Sequence, residues 1–376
     1  MSKVLLNFGK LPTFMGCVHI ESPYKDDVFW EMKWGYKDDS TFGVIDPPPA
    51  ELIYLNQHNE LVGPTWENHL SSFSKFVSEK IRGKVLEIGA GHCLLSERVD
   101  LLNPRLFEQW DISEPNPLIQ SNSRGELFRE YFPSKTIKNN NYDVIVHSHV
   151  LEHVVSPITF LIDCYETLKT DGEIIMSVPN MKNMADNSDL NLLMFEHLTY
   201  LTFDEIQNIA QFAGFKIINF QHFEQHSIFF HLKKIEKDNS YKSFESILTT
   251  VEIEKLINNY SNEILDKIKE IRKFMDNDDF KFYIFGAHIF TQYLIALGLD
   301  HNKIVALLDN SKFKQGKRLY GTNLKVLDPR EILGENNLGI ILPMGNYEAE
   351  VIKQLAELGI KCSKIYSLRS GIKDIV

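Results

Sequence analysis

Glycine and acidic residues stand in a spacing that could hold a nucleoside cofactor. Glu87 lies near the end of an apolar run, and Gly89 and Gly91 follow it before a helix-like segment. Glycine lets the backbone turn sharply and approach a ligand closely, where a Cβ would collide. Asp111 closes the next apolar run 24 positions after Glu87, where its carboxylate could accept both hydroxyls of a ribose. The pattern predicts a cofactor site, with glycines kept for packing alone as the alternative.

A Glu-His pair is the main candidate for acid–base chemistry. Histidine titrates near neutral pH, so its neutral form is available to take a proton. We predict that His197 is a general base and that Glu196 orients it or neutralises the imidazolium. The alternative is a purely structural contact between His197 and Tyr200, three residues further along the chain.

Three further histidines, His147, His149 and His153, raise the question of a metal site. Their spacing of two and four residues, across a strand end and a helix start, rarely points all three imidazoles at one ion. The cysteines are too scattered for a CxxC zinc site or a disulfide framework. They are Cys17, Cys93, Cys164 and Cys362. The sequence therefore predicts a protein that binds no metal.

These candidates lie in a region where strand-like and helix-like stretches alternate. Such alternation predicts a parallel sheet covered by helices on both sides. The predicted strands are 84–88, 106–110, 142–147 and 173–178, with a helix at 158–168 between the last two. After a helix at 203–215, strands at 216–221 and 227–233 follow each other directly. Two such strands predict an antiparallel hairpin at the edge of the sheet.

Three regions of different character divide the chain. Residues 1–75 are rich in aromatic and turn residues and predict a lobe of short β pieces. Residues 76–240 carry the alternating segments. Residues 241–376 begin with a predicted helix at 241–276 and continue as a second, smaller α/β domain. The apolar stripe of that helix predicts packing against the protein's own domains, with a partner-binding coiled coil as the alternative.

Composition limits the classes of function. Of the 376 residues, 43% are hydrophobic and 24% are charged, which is typical of a folded globular protein. The formal net charge of −11, without a basic stripe, disfavours a nucleic acid partner. The sequence shows neither an apolar run long enough to span a bilayer nor a signal-peptide pattern. We expect a cytoplasmic protein that acts on a small molecule and not at a membrane.

The central segments resemble the class I S-adenosylmethionine-dependent methyltransferases. VLEIGAG is similar to their first motif, and WDISE is similar to the acidic end of their second strand. YDVIVHSHVLEHV with Pro157 is similar to their fourth strand and the helix after it. The resemblance implies a Rossmann-like seven-stranded core with S-adenosylmethionine as the cofactor. A degenerate dinucleotide site is the alternative.

Carried over by position, the resemblance assigns the cofactor contacts. The glycine turn would pass under the methionine moiety, Asp111 would hold the ribose hydroxyls, and Ile112 would lie against the adenine. His147 to His149 would stand near the sulfonium, which makes His149 a further catalytic candidate. The residues implied to contact the cofactor are Glu87, Gly89, Ala90, Gly91, Asp111, Ile112 and His147.

A narrower resemblance, to sugar-nucleotide C-methyltransferases, covers nearly the whole chain. It rests on EHLTY at 196–200, on the hairpin with His226-Ser227, and on FGA and LDNSK in the C-terminal region. It implies that the N-terminal lobe binds substrate and that a C-terminal Rossmann-like domain holds a nucleotide-sugar. The residues implied to contact the substrate are Trp66, His69, Tyr200, His226, Gly286 and Asn310.

Departures from that family bear on the acceptor atom. The four-cysteine zinc site of the family's lobe is missing. Met194 stands where the family has a tyrosine, and the family's His-Gly-Gly-Ser turn is shortened to His226-Ser227. The tyrosine and the glycine turn help a C-methyltransferase to stabilise an enolate. We therefore prefer a hydroxyl acceptor, which needs only a positioned base. C-methylation of a keto-deoxysugar nucleotide and a non-catalytic binding protein are the alternatives.

Overall fold

A computed structural model describes most of the chain. The described residues are 2–53, 64–103, 107–116, 120, 124–187, 189, 192, 194–237, 243–276, 279–343, 348–368 and 371–373. The three largest sheets within these residues lie in the lobe, the alternating region and the C-terminal region. No helix in this described part is long and apolar enough to cross a membrane.

The N-terminal lobe is built on an antiparallel sheet in which β3 lies between β1 and β4. Its elements are β1 (Lys3–Pro12), β2 (Cys17–Val18), β3 (Phe29–Tyr36), β4 (Phe42–Ile45) and the short helix α1 (Ala50–Ile53). The ring of Phe42 lies 5.4 Å from that of Trp34 and 6.1 Å from that of Tyr200, measured between centroids. Because Tyr200 belongs to the central region, these buried aromatic rings join the lobe to it.

The central region contains the predicted parallel sheet. Its elements are α2 (Pro64–Ser78), β5 (Lys84–Ile88), α3 (Leu94–Leu102), β6 (Gln109–Ser113), β7 (Leu127–Phe128), β8 (Tyr142–Ser148), α4 (Pro157–Thr167), β9 (Leu168–Pro179), α5 (Met181–Asp186), α6 (Phe203–Ala213), β10 (Phe215–Phe223) and β11 (Ser227–Lys234). The strand order is β7-β6-β5-β8-β9-β11-β10. β5 to β9 run parallel, whereas β11 is antiparallel to both β9 and β10. The prediction of a parallel sheet with a hairpin at its edge is confirmed.

Helices cover both faces of this sheet. On one face, Phe73 of α2 and Val99 of α3 belong to the same buried cluster as Val144 of β8. On the other face, Leu161 of α4 packs in a cluster with Ile145. Side chains alternate between the two faces of a strand, so central strands buried on both faces consist of near-continuous apolar runs.

The structure corrects the position of the second strand. The apolar run predicted a strand at 106–110, but β6 spans Gln109–Ser113, and residue 106 lies outside the described residues. Trp110 and Ile112, two residues apart, are both fully buried in the same apolar cluster. Their burial extends the strand by three residues and moves Asp111 from the strand end to the strand middle.

The C-terminal region starts with a long helix, α7 (Thr250–Phe274), which begins later than the helix predicted at 241–276. The side chain and backbone of Thr249 form a capping box with Glu252, which explains this start. Tyr260 and Ile264 of its apolar stripe are buried, and the Tyr260 hydroxyl donates to the Asp189 carbonyl at 2.9 Å. The prediction that this helix packs against the protein's own domains is confirmed.

The second α/β domain follows this helix. Its elements are β12 (Lys281–Phe285), α8 (Ile289–Ala296), β13 (Ile304–Leu308), β14 (Arg318–Leu319), β15 (Val326–Leu327), β16 (Leu338–Leu342), α9 (Glu348–Glu357), β17 (Cys362–Ser367) and β18 (Gly371–Lys373). The strand order is β15-β13-β12-β16-β17-β18. Counted along the chain within this sheet, that is the order 3-2-1-4-5-6 of doubly wound nucleotide-binding sheets.

A buried ion pair joins the lobe to the C-terminal domain. The guanidinium of Arg318, on β14, donates to both carboxylate oxygens of Asp27 at 2.6 and 2.7 Å. Both side chains are 3% exposed. β14 also pairs with β2 of the lobe. Because the two charges are out of water, each depends on the other for compensation.

We expect Asp27→Ala to lower the free energy of unfolding by about 3–5 kcal/mol, because the Arg318 guanidinium stays buried without its partner. Urea denaturation followed by tryptophan fluorescence measures this loss as a lower transition midpoint. Asp26→Ala, at an exposed neighbouring position, is the matched control and should change stability by less than about 0.5 kcal/mol. A midpoint for the Asp27 variant equal to that of the wild type would contradict this role.

Candidate active site

The glycine segment forms a turn at the carboxyl end of β5. Gly89 and Gly91 have φ angles of +67° and +54°, which residues with a Cβ rarely adopt. A Cβ on Gly89 would lie 2.7 Å from Cγ2 of Val150, whereas a Cβ on Gly91 would meet nothing within 4 Å. The turn thus has a tight inner side and an open outer side. The open side leaves room for a ligand to approach the backbone of the turn.

Asp111 faces away from this turn. It lies in the middle of β6 opposite Leu86, and 1% of its surface is exposed. Its carboxylate accepts a hydrogen bond from the Tyr142 hydroxyl at 2.8 Å and lies 3.3 Å from Nζ of Lys84. Tyr142 and Lys84 are the first residues of their strands, so these contacts lie toward the edge opposite Gly89. The Asp111 carboxylate therefore links β6 to the first residues of β5 and β8. This geometry disagrees with the predicted contact between Asp111 and a ribose.

Glu114 takes the position that the sequence predicted for Asp111. It directly follows β6, and its Oε2 accepts a hydrogen bond from the Gly91 N–H at 2.9 Å. The Gly89 N–H donates to the Ser113 carbonyl at 2.9 Å, so the turn and the strand end are joined. Sequence analysis missed Glu114 because it ended the strand at residue 110. The signal available was the second carboxylate in WDISE.

Glu87 and Ile112 are buried beneath the turn. Glu87 accepts a hydrogen bond from Nε1 of Trp110 at 2.8 Å, and burial raises the pKa of its carboxyl group to about 8. A ligand ammonium group nearby would favour the carboxylate and lower this pKa again. Ile112 belongs to the apolar core between the sheet and its covering helices, so it offers no free surface to adenine.

His147 is a core residue in this structure. Its ring lies 5.4 Å from the ring of Phe160 on α4, measured between centroids. Burial lowers its pKa to about 4, so the ring is neutral at physiological pH. Two sets of residues in the described part of the chain could hold a metal ion, and neither contains His147. The group His147, His149 and His153 is therefore not brought together.

Four predicted site residues do come together, and we call them the histidine cluster. Its members are Trp66 and His69 of α2, His149 directly after β8, and His226 in the turn between β10 and β11. The centroids of the three imidazole rings are 5.2, 5.6 and 5.7 Å apart. The Trp66 ring contacts all three, at 4.7, 5.1 and 5.5 Å. In the sequence the three histidines are far apart, and the fold brings them to one edge of the sheet.

Two serines contact the imidazole rings of the histidine cluster, and one of the three histidines has a strained backbone conformation. Ser177 Oγ lies 2.9 Å from Nε2 of His69, and Ser227 Oγ lies 3.1 Å from Nε2 of His149 and 2.6 Å from Nδ1 of His226. His149 has a φ angle of +53°, in the left-handed region. Burial, reinforced by repulsion between neighbouring rings, lowers the pKa of His69 to about 2 and that of His226 to about 4. Both rings are therefore neutral at physiological pH.

A second group, Glu152, His153 and His197, adjoins the cluster through His149. Glu152 is fully buried, and its Oε1 lies 3.1 Å from Nδ1 of His149 and 3.7 Å from Nε2 of His153. Burial alone would raise the pKa of Glu152, but its contacts with His149 and His153 lower it to about 2. The His197 ring lies 5.3 Å from that of His153, and burial lowers its pKa to about 4. Glu152 was not predicted as a site residue, although the triplet LEH directly after the strand marked its position.

Glu196 and Tyr200, on either side of His197 in the sequence, are both buried. Glu196 is buried, and it raises the pKa of His197 less than Glu152 does. Tyr200 lies in the contact between the lobe and the central region, where its N–H donates to the Phe42 carbonyl at 2.9 Å. The carboxylate that acts on His197 most strongly is thus Glu152, and a substrate contact by Tyr200 stays a prediction.

Two candidates lie in the C-terminal domain, each after the carboxyl end of a strand. Gly286 follows β12 with a φ angle of +116°, which only glycine readily adopts. Asp309, after β13, accepts a hydrogen bond from the Ala287 N–H at 2.9 Å. The side chain of Asn310 is held by two hydrogen bonds to Gln354, at 2.6 and 2.8 Å. Gly286 therefore lies at the ligand-binding edge of such sheets, while Asn310 already has a protein partner.

Comparison with known proteins agrees with this geometry. A methyltransferase domain family matches residues 66–219, which include the glycine turn, Glu114 and most of the histidine cluster. The protein is an S-adenosylmethionine-dependent methyltransferase, and S-adenosylmethionine is its cofactor. No curated protein sequence matches this chain.

Several solved structures resemble part of the chain. They include the YcgJ protein of Bacillus subtilis, the mitomycin 7-O-methyltransferase MmcR, and the plantazolicin methyltransferase BpumL in complex with a monoazolic desmethylPZN analogue and S-adenosylhomocysteine. Their identities to this chain are 10%, 15% and 14%, with TM-scores of 0.35, 0.36 and 0.36. The matches cover 45%, 44% and 45% of this chain, and 99%, 53% and 84% of those chains. At such low identities and scores, they say nothing about the substrate of this protein.

We expect Glu114→Ala to weaken S-adenosylmethionine binding at least about tenfold, because a hydrogen bond from a hydroxyl to a charged group contributes roughly 1.5–3 kcal/mol. Calorimetric titration of the cofactor measures this change. Asp111→Asn is the matched control, and it should retain the affinity because its contacts lie toward the opposite edge of the sheet. The reverse result, with affinity lost only in the Asp111 variant, would restore the assignment made from the sequence.

Proposed function

We propose that the protein methylates a hydroxyl group of a sugar nucleotide or a related carbohydrate precursor, in the cytoplasm, on a route to a surface polysaccharide. The observation that supports this most directly is the neutral imidazole of His197 beside buried Glu152, which also lies against His149 at the strand end. A hydroxyl acceptor must lose its proton as it is methylated, and a neutral imidazole is suited to take that proton. β8, which ends at this site, pairs directly with β5, which leads into the glycine turn.

His197 is the proposed general base. Its lowered pKa keeps the ring neutral at pH 7, and Glu152 lies close enough to stabilise the imidazolium that forms. The bound cofactor supplies a methyl group that is already activated by its sulfonium. The acceptor oxygen bonds to the methyl carbon, the electrons of the carbon–sulfur bond go to sulfur, and the hydroxyl proton goes to His197. Placing the reactants in line contributes much of the rate.

The C-terminal domain supports an acceptor that carries a nucleotide. Doubly wound sheets bind ligands at the carboxyl ends of their strands, where the strand order reverses. In this domain the reversal lies at β12, whose carboxyl end leads into Gly286. Nζ of Lys314 lies 3.2 Å from the Asp309 carboxylate and adds a cation at the same edge. At the methyltransferase site, the half-buried ring of Trp66 offers an aromatic surface for a sugar.

We expect His197→Ala to lower kcat by about 10²–10⁴-fold, with little change in cofactor affinity, because the base is lost while the glycine turn is intact. Release of S-adenosylhomocysteine with a panel of sugar nucleotides measures kcat. His222→Ala, which removes an exposed histidine from β10, is the control and should retain full activity. Near-normal turnover in the His197 variant would contradict its role as the base.

We expect the acceptor's carbon-bound hydrogens to remain in place during turnover in deuterium oxide, because a hydroxyl acceptor is methylated without forming an enolate. Mass spectrometry of the product measures this retention. Deuterium at the reacting carbon would instead indicate C-methylation of a keto sugar. If no sugar nucleotide is methylated, and none raises the melting temperature in the presence of S-adenosylhomocysteine, the proposed substrate class is wrong.

A further inference from the structure

We propose that the histidine cluster binds a divalent transition-metal ion of the zinc class through His69, His149 and His226. One coordination position would remain open toward the acceptor. This inference goes beyond the proposed function and depends on it only for the identity of the acceptor. It also reverses the prediction from the sequence, which considered His147 and His153 instead of the two distant partners of His149.

The spacing of the three rings suits a single ion. Each ring offers one nitrogen, and the three nitrogens lie within 4.8 Å of one another. Imidazoles bound tetrahedrally at ~2.1 Å would have their nitrogens about 3.4 Å apart and their ring centres about 5 Å apart. The centroid distances of 5.2, 5.6 and 5.7 Å are close to this arrangement. Side-chain movements of about 1 Å would complete the coordination.

The donor set selects the class of ion. Imidazole nitrogen suits zinc, copper, iron and nickel, whereas magnesium and calcium prefer oxygen ligands. The cluster offers three imidazole nitrogens, so its donor set favours an ion of the zinc class over magnesium or calcium.

The surrounding residues are those that orient metal-binding histidines. A ligating histidine usually directs its second ring nitrogen to a carboxylate or another polar group, which fixes the ring. Nδ1 of His149 lies 3.1 Å from Oε1 of the fully buried Glu152, and an ion on Nε2 would replace the contact that Ser227 Oγ makes there at 3.1 Å. The ring of Trp66, on α2, packs against all three imidazole rings. Glu152 is thus assigned as a positioning residue for His149.

The cluster is open on one side. His69 is buried, but the side chain of His149 is 16% exposed and His226 is partly exposed. Catalytic zinc sites hold three protein ligands and keep a fourth position for water or substrate. An acceptor hydroxyl bound there would have its pKa lowered by the ion. Its proton would then pass to His197. Its oxygen would bond to the methyl carbon, and the electrons of the carbon–sulfur bond would go to sulfur.

The second set, Glu152, His153 and His197, could also hold an ion. We assign the ion to the cluster because three equivalent imidazoles at nearly equal distances match a single coordination geometry. In addition, Glu152 already lies 3.1 Å from His149, which is the contact expected of an outer carboxylate. Binding at the second set is therefore a separate outcome of the test.

The test uses the full chain, freed of metal by dialysis against a chelator, with neither cofactor nor acceptor present. Titration with Co²⁺ should give one equivalent of a complex with strong visible absorption, and Zn²⁺ should displace it. We expect His226→Gln and His69→Ala each to weaken Zn²⁺ binding at least about 100-fold, and Glu152→Gln to weaken it about 10–100-fold. His222→Ala, which removes an exposed histidine, is the matched control and should bind as the wild type does.

Circular dichroism and calorimetry with S-adenosylmethionine should accompany each variant, because loss of the buried ring of His69 could unfold the protein. The partly exposed position of His226 makes its variant the decisive one. No Zn²⁺ or Co²⁺ binding by the wild type, or unchanged binding by His226→Gln, would overturn the proposal. So would binding that is lost in His153→Ala but kept in His226→Gln. Zn²⁺ binding that needs His226, in a protein that methylates no sugar nucleotide, would support the metal site and contradict only the proposed function.

Discussion

The parallel hydrogen bonding of β5 to β6 on one side and to β8 on the other places the functional groups of the central region. In this register Ile88, the last residue of β5, lies opposite Ser113 and His147. The next residues of all three strands then emerge at one edge of the sheet, which brings the glycine turn next to Glu114 and His149. A shift of one residue would send each side chain to the other face of its strand. The site therefore depends on backbone pairing before it depends on any side chain.

Burial gives this edge its chemical character. Water normally stabilises an imidazolium, and its removal lowers the pKa of His69, His197 and His226 well below the usual value. Glu152 stays ionised in the same environment because His149 and His153 lie against it. The result is a buried edge that contains three neutral imidazoles and one ionised carboxylate. Such a group can accept a proton or hold a cation, and exposed histidines in water would do neither as selectively.

Buried contacts join the three regions of the chain. The lobe packs on the central region through Phe42 and Tyr200, and it joins the C-terminal domain through Asp27 and Arg318. The long helix α7 adds a further link through the hydroxyl of Tyr260. These contacts are buried, so the domains that we propose to hold the two ends of the substrate share one framework.

Features that depend on neighbouring residues could be predicted from the amino-acid sequence. Strand and helix alternation, the glycine turn at Gly89 and Gly91, and the hairpin that ends the sheet all follow from local patterns, and together they indicate the cofactor class. The local sequence alone could not show that β6 continues to Ser113, because the burial of Ile112 depends on helices from other parts of the chain. Because the strand is longer than predicted, the carboxylate beside the glycine turn is that of Glu114 and not that of Asp111.

Which histidines come together depends on the folding of the whole chain. His69, His149 and His226 lie on a helix, a strand end and a hairpin turn, and they are separated by about 80 residues at each step. Their meeting depends on the packing of α2 against β9 and on the antiparallel pairing of β11 with β9, which places the hairpin turn at the edge where β8 ends. The burial that neutralises the rings depends on the same packing. The residue types are written in the sequence, but their grouping and their protonation are properties of the folded chain.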